Sequence, residues 1–316
     1  MQRFRRWRRR RAALALLPVA ALFSITIGTS PASGATAEQA SFDANKGRVK
    51  PGAKVKVSGA FPARVDALAD REGEAAPTGR RVRIEFKAAG KDHFHPAKST
   101  ISDTKGRYRE TVRVHRSGSF RAVAADGRIS GTDRVRVKSR VRARVADKNV
   151  NLGDRVAIKG RVKPAIGSRR VVVAIGGEKL ATRTGKHGKF KLRWKAARTG
   201  TFAARVKAKG DRIAAGSRDK AGRTTVYRPA HASYYGPGLY GNPVACGGST
   251  LTPSTIGVAH KTLPCGTKLT LRYRGRSVKV RVIDRGPYIA GREFDLTYAT
   301  KQKLGFGSTG TVWSSK

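Results

Sequence analysis

Asp284 ends the alternating stretch VKVRVID and is followed by Arg285-Gly286-Pro287-Tyr288. A carboxylate at a strand end, carried into a Gly-Pro turn, is displayed in a groove and suits proton transfer to a bound ligand. A second aspartate, Asp295, follows in REFDLTYAT, and His260 precedes both in GVAHKTLPCG. Ser249, His260 and Asp284 stand in an order open to a nucleophilic triad, but Ser249 has no G-x-S-x-G elbow around it. His93 and His95 share a strand face without a third ligand, so no metal site is expected. Scattered glycines form no phosphate or dinucleotide fingerprint, and no cofactor is expected.

The elements that must hold Asp284 are short and β-like. Leu269 to Tyr273 and Val278 to Val282 alternate as two strands joined by Arg274-Gly275-Arg276. Thr297 to Leu304 reads as a helix capped by Thr297 and stopped by Gly305, and Gly310 to Trp313 as a last strand. Cys246 and Cys265 are the only cysteines, both in this block, and are expected to form a disulfide that contributes about 3 kcal/mol.

The phrases ASYYG at 232–236, YGNPVACGG at 240–248, AHKTLP at 259–264, DRGP at 284–287 and FDLT at 294–297 carry a resemblance. Together they resemble the rare lipoprotein A-like family of bacterial wall proteins, whose double-psi β-barrel is related in fold to expansins. The resemblance covers nearly all of residues 231–316 and implies a six-stranded double-psi β-barrel there. For active members it implies lytic transglycosylation: the glycan is cut between muramic acid and glucosamine, and the muramic hydroxyl closes on its own anomeric carbon. Asp284 matches the family aspartate and His260 the histidine of the A-H motif, while Asp295 matches an aspartate functional in expansin-type barrels. These three are the catalytic candidates. Tyr234, Tyr235, Tyr240 and Tyr288 offer sugar-stacking surfaces and Arg285 completes the glycan-binding candidates. Transglycosylating members carry a glutamate where this chain reads Gly248, and no other acid lies between His231 and Asp284. Two readings therefore stand: a lytic transglycosylase-like enzyme, or a non-catalytic, expansin-like module that binds peptidoglycan or loosens the wall.

Ahead of this block the chain repeats itself. KPGAKVKVSGAF at 50–61 returns as NLGDRVAIKGRV at 151–162, and Arg80-Arg81-Val82 returns as Arg169-Arg170-Val171. Gly106-Arg107-Tyr108 matches Gly188-Lys189-Phe190, and Gly118-Ser119-Phe120 matches Gly200-Thr201-Phe202, apart from an extra stretch around Asp66 to Pro77. Period-two alternation and regular turn signals predict two immunoglobulin-like antiparallel β-sandwiches, over 38–139 and 140–228. The expected fold is all-β throughout.

Residues 1–37 read as a cleaved signal peptide: seven arginines from Arg3 to Arg11, an apolar run from Ala12 to Gly28, then small residues. The expected location is outside the cell, associated with the wall. The formal charge of +48 divides into +7 in the signal region, +9 over residues 231–316 and the remaining +32 between Glu38 and Ala230. Such an excess calls for polyanionic partners. In that compartment they are anionic wall polymers alongside peptidoglycan glycan strands, not nucleic acid, and a monomer is expected. Lys189, Lys191, Arg193 and Lys195 project from one face of a strand about 6.5 to 7 Å apart and are the anion-binding candidates.

Overall fold

The computed structural model describes residues 40–62 and 79–316. The signal-peptide expectation and the extra stretch around Asp66 to Pro77 fall outside the described residues.

The first sandwich comprises β1 (Ser41–Ala44), β2 (Arg48–Val49), β3 (Ala53–Ala60), β4 (Arg81–Ala88), β5 (His95–Ile101), β6 (Arg107–Val114), β7 (Gly118–Ala124) and β8 (Asp133–Val137). Its sheets have the orders β1-β3-β6 and β2-β8-β7-β4-β5. Alternation decides which face is covered: Val55, Val57, Val82 and Ile84 are buried between the sheets while Lys54, Lys56 and Arg83 face out.

The second sandwich repeats this order. It comprises β9 (Arg140–Val145), β10 (Asn149–Asn151), β11 (Arg155–Lys163), β12 (Arg170–Ile175), β13 (Glu178–Arg183), β14 (Lys189–Lys195), β15 (Gly200–Ala208) and the start of β16 (Ser217–Tyr235). The sheets run β9-β11-β14 and β10-β16-β15-β12-β13, and β10 lies parallel to β16 as β2 lies parallel to β8. Every neighbour relation of the first copy recurs, so the repeated phrases mark a duplicated immunoglobulin-like unit. Trp194, fully buried, fills the second core with Phe202 edge-on at 5.3 Å.

The two sandwiches are locked together by residues 209–216. Ala214 is buried in the core of the first sandwich, Ser117 donates to the Ile213 carbonyl at 2.8 Å, and Ala215 donates to that of Val137 at 2.9 Å. Arg169, buried at the base of this loop, shapes it by donating to Asp211 and to the carbonyls of Lys209 and Ala214.

β16 does not stop at the end of the sandwich. It runs through Pro229 into a closed ring completed by β17 (Val258–Ala259), β18 (Lys268–Tyr273), β19 (Arg276–Asp284), β20 (Phe294–Thr297) and β21 (Gly310–Ser314). The pairings β16-β20-β17-β19-β18-β21 return to β16, giving six strands with no free edge. Two pairs, β16 with β20 and β17 with β19, are parallel. Ala230, Ala232, Val258, Val282, Phe294 and Leu296 fill the interior. The β18–β19 hairpin turns at Arg274 and Gly275, both at positive φ as a two-residue type I′ turn demands. Helix α1 (Tyr298–Leu304) is capped by the Thr297 hydroxyl, which accepts from Thr300 N, and ends at left-handed Gly305.

Candidate active site on the barrel

Four neighbouring barrel strands bring the candidate acids to one level. Ala259 on β17 is in register with Asp284 on β19 at one side and Asp295 on β20 at the other, and Asp295 is in register with Ser233 on β16. The interior positions are Ala232, Val258, Val282 and Leu296; Asp295 alternates outward, and the bulge at Ile283 takes Asp284 out of phase with Val282, so the two aspartates lie on the outer face of the barrel. They flank one strand, about 9 to 10 Å apart at the backbone. Both are partly exposed.

Asp284 is held rather than free. Its Oδ1 accepts from the backbone N–H of Ala245 at 2.9 Å and of Arg285 at 2.8 Å. The Ser233 hydroxyl donates to Asp295 Oδ1. Tyr235 lies on the same face, two residues beyond Ser233. Its phenol oxygen is buried beside the Asp284 carboxylate, and its pKa is raised first by burial and then by the charge and hydrogen-bond acceptance of Asp284.

The surroundings of Asp284 are tied by three devices. The Cys246–Cys265 disulfide, spanning 19 positions, joins the loop that carries Ala245 to the loop that follows His260. The Arg285 guanidinium donates to the carbonyls of His260 and Leu263 at 3.1 and 2.9 Å and to Cys265 Sγ at 2.9 Å. His260, largely buried, accepts at Nδ1 from the N–H groups of Thr262 and Leu263 at 3.1 and 3.0 Å. That tautomer places the proton on Nε2, which points to Glu293 Oε1 at 3.7 Å. Burial holds the imidazole pKa below its ordinary value and Glu293 opposes this in part.

Each sequence candidate thus has a place. Asp284 and Asp295 come together. His260 meets Asp284 through the backbone, its N–H donating to the Asp284 carbonyl at 3.2 Å, while its ring is engaged in the 260–263 turn. Arg285 is likewise engaged in that turn through its guanidinium. Tyr288 is 82% exposed and Tyr240 stands at the surface beside exposed Leu239, so both present open faces. Tyr234 packs on the barrel core with Lys301 Nζ 3.9 Å over its ring and Tyr298 at 6.1 Å. Gly248 sits at positive φ with open space around it. Glu293, the third acid of the domain, is clamped by Arg228 through paired bonds at 2.8 and 2.5 Å. Sequence reasoning does not find Ser233 or Arg228, because their partners Asp295 and Glu293 lie more than sixty residues away.

The basic row of β14 also gains neighbours. Lys189 is in register with Arg161 and Lys191 with Lys159 on β11, and these are in register with Arg142 and Arg144 on β9. Strands β9, β11 and β14 contain no acid, and the outward lysines and arginines of all three are exposed.

Comparison with known proteins finds likenesses for the barrel. Residues 227–313 match the profile of a family described as "Lytic transglycolase". The chain is 42% identical over 81 residues to "Probable endolytic peptidoglycan transglycosylase RlpA" of Synechocystis, covering 25% of each chain. It is 40% identical over 88 residues to the protein of that name in Aquifex aeolicus, covering 27% of this chain and 38% of that one. It is 43% identical over 83 residues to "Endolytic peptidoglycan transglycosylase RlpA" of Pseudomonas aeruginosa, covering 26% and 24%. The match therefore spans about a quarter to two fifths of the relatives' length. Among solved structures, the Yersinia pseudotuberculosis adhesin InvE overlaps at a TM-score of 0.34 and 10% identity, over 60% of this chain and 59% of that one. The sandwich assignment rests on strand order instead. Closed six-stranded topology, profile and relatives agree: the C-terminal domain of this chain is an RlpA-like double-psi β-barrel.

Proposed function

We propose that the chain is an exported wall protein whose barrel cleaves peptidoglycan glycan strands by lytic transglycosylation, with Asp284 as the proton-transfer residue. The observation that supports this most is Asp284 itself, fixed by two backbone N–H groups on the outer face of an RlpA-like barrel with Asp295 across one strand. Asp284 in its acid form gives its proton to the glycosidic oxygen as the bond from the muramic anomeric carbon breaks. The muramic hydroxyl oxygen then bonds to that carbon, and its proton passes to the Asp284 carboxylate. The acid is regenerated, no water is consumed, and the two products are an anhydro-ended strand and a free sugar hydroxyl. Asp295 with Ser233 orients the sugar, Tyr235 steadies the Asp284 carboxylate beside it, and Tyr288 and Tyr240 stack on neighbouring rings. His260 and Arg285 act through the loop they hold.

The basic face of β9, β11 and β14, with Lys189, Lys191, Arg193 and Lys195 at its edge, holds the protein to anionic wall polymer. Because exposed charges are screened over about 8 Å at physiological ionic strength, that attachment weakens with salt.

The second reading, an expansin-like binding module, is favoured by Gly248, which leaves Asp284 without a facing glutamate in the 244–248 loop. One variant separates the two. Asp284→Asn is expected to lower release of anhydro-muropeptides from purified peptidoglycan by about 10²- to 10⁴-fold with sedimentation on walls nearly unchanged. Wild type that releases none, with glycan binding weakened by the substitution, establishes the binding module instead.

A further inference from the structure

The outer face of the other sheet of the second sandwich is a trough of about 1020 Å³. Its floor is small and apolar, formed by Val172 and Ala174 on β12 and Ala181 on β13. Its wall is a block of four cations in which Lys207 faces Arg218 and Arg205 faces Lys220 across the β15–β16 pair. Arg170, Lys179 and Lys209 complete the rim. Like charges directly opposite on neighbouring strands repel, with side chains about 5 Å apart at Cβ. The one lining acid, Asp219, turns its carboxylate to the backbone N–H groups of Ala143 and Lys220.

The first sandwich shows how such a face is otherwise neutralised. With Arg80-Arg81-Val82 matched to Arg169-Arg170-Val171, Glu85 on β4 falls at the position of Ala174 on β12. Glu85 is buried between two cations, its Oε1 2.8 Å from Arg83 and its Oε2 2.8 Å from Arg121, whose guanidinium lies 4.1 Å over Phe94. In the second copy the acid is replaced by alanine, no aromatic among the described residues lines the trough, and the cations remain. Among the described residues no carboxylate completes this face, which leaves it open to an external anion.

We infer that the trough is a binding site for a linear phosphodiester-linked polyol, its phosphates on the Arg205, Lys207, Arg218 and Lys220 block and its aliphatic spacer on the Val172, Ala174 and Ala181 floor. Cations two residues apart on a strand recur about every 7 Å, the scale on which phosphates follow one another in a short-spacer polymer. A nucleic acid finds no stacking platform for its bases here, and a sugar polymer finds none for its rings. The inference rests on the reading of the protein as a wall protein, and narrows its partner from any polyanion to one chemistry.

The test is competition binding of the full-length chain to three probes of matched charge: synthetic poly(glycerol phosphate), polyglutamate and oligo(dT). Wild type is expected to prefer poly(glycerol phosphate) over each of the others by about tenfold, a preference beyond the shared charge term. The variant R205Q/K207Q/R218Q/K220Q is expected to lose that preference. K189Q/K191Q/R193Q/K195Q removes the same charge from the opposite sheet and is expected to weaken all three probes alike, keeping the ratio. Ala174→Glu restores the acid of the first copy and is expected to reduce poly(glycerol phosphate) affinity by about tenfold, deciding the matter alone if the fourfold variant does not fold. Absence of preference in wild type, equal change of the ratio in both fourfold variants, or oligo(dT) bound as tightly as poly(glycerol phosphate) overturns the inference. The probes carry no peptidoglycan, so the outcome is independent of whether the barrel cleaves.

Discussion

The barrel and the second sandwich use charge in opposite ways. In residues 231–316 there are three acids, and each is fixed: Asp284 by two N–H groups, Asp295 by Ser233, Glu293 by Arg228. In the second sandwich the basic residues of β9, β11 and β14 face outward with no acid on those strands, and among the described residues the β15–β16 block likewise lacks a paired carboxylate. A fixed carboxylate does chemistry at one bond, because proton transfer tolerates little error in position. An unpaired cationic sheet acts at longer range and tolerates a variable partner. The first sandwich stands between the two, since Glu85 there closes what the second copy leaves open. Burial raises the Glu85 pKa, but hydrogen bonds from Arg121 and Arg83 outweigh this and hold it below the usual carboxylate range.

That contrast can be strained first at the disulfide. Replacing Cys246 and Cys265 by serine frees the Ala245 loop from the 260–265 loop, and by loop entropy should cost about 3 kcal/mol. Native-state hydrogen exchange should report the loss in barrel amides, with the sandwich cores unmoved and peptidoglycan cleavage falling together with the barrel. An equal loss of protection in β11 and β12 would mean that the three domains share one cooperative unit along β16.

A smaller effect is expected at Asp295. Asp295→Asn keeps the side chain's size and its contact with Ser233 but removes the second charge beside Asp284. Cleavage should fall by about tenfold, roughly 1.4 kcal/mol in barrier, largely in kcat. A loss as large as that of Asp284→Asn would make the pair a single proton-sharing unit rather than an acid and a positioning group.

The smallest effect concerns pH. His260 has a folded-state pKa below its ordinary 6.5, with burial the first cause. The unfolded chain therefore takes up the proton first as pH falls. Stability is full above 6.5 and declines as pH drops from there through the folded-state pKa. His260→Asn, which keeps an acceptor for the 262–263 N–H groups, should flatten the thermal stability of the barrel between about pH 7 and 5 by a few tenths of a kcal/mol or more. A profile identical to wild type would assign the acid sensitivity to other groups.

Much of this architecture is legible in the sequence because it is local or repeated. The alternation of Val55 and Val57, the paired phrases of the two copies, the Arg274-Gly275 turn and the Thr297 cap each need only a few neighbouring residues. Cys246 and Cys265 pair because no other cysteine exists. What escapes is register. Nothing near Asp284 in sequence says that Ala259 separates it from Asp295, or that Ser233 lies one strand beyond. The boundary between 228 and 231 likewise gives no sign that one strand, β16, passes through it with Pro229 in register with Trp313. His260 is a catalytic candidate through the family resemblance, and the turning of its Nδ1 to the Thr262 and Leu263 amides is visible only in the folded chain. The charge of the second sandwich is plain in composition, but the missing partner of Arg205 emerges only when Ala174 is set against Glu85.

Digesting purified peptidoglycan in ¹⁸O-labelled water and weighing the soluble fragments decides whether the barrel closes an anhydro ring without water. Lytic transglycosylation by Asp284 requires muramic ends that lack one water and carry no ¹⁸O. Labelled reducing ends would contradict it, because they require water, not the muramic hydroxyl, to have attacked the anomeric carbon.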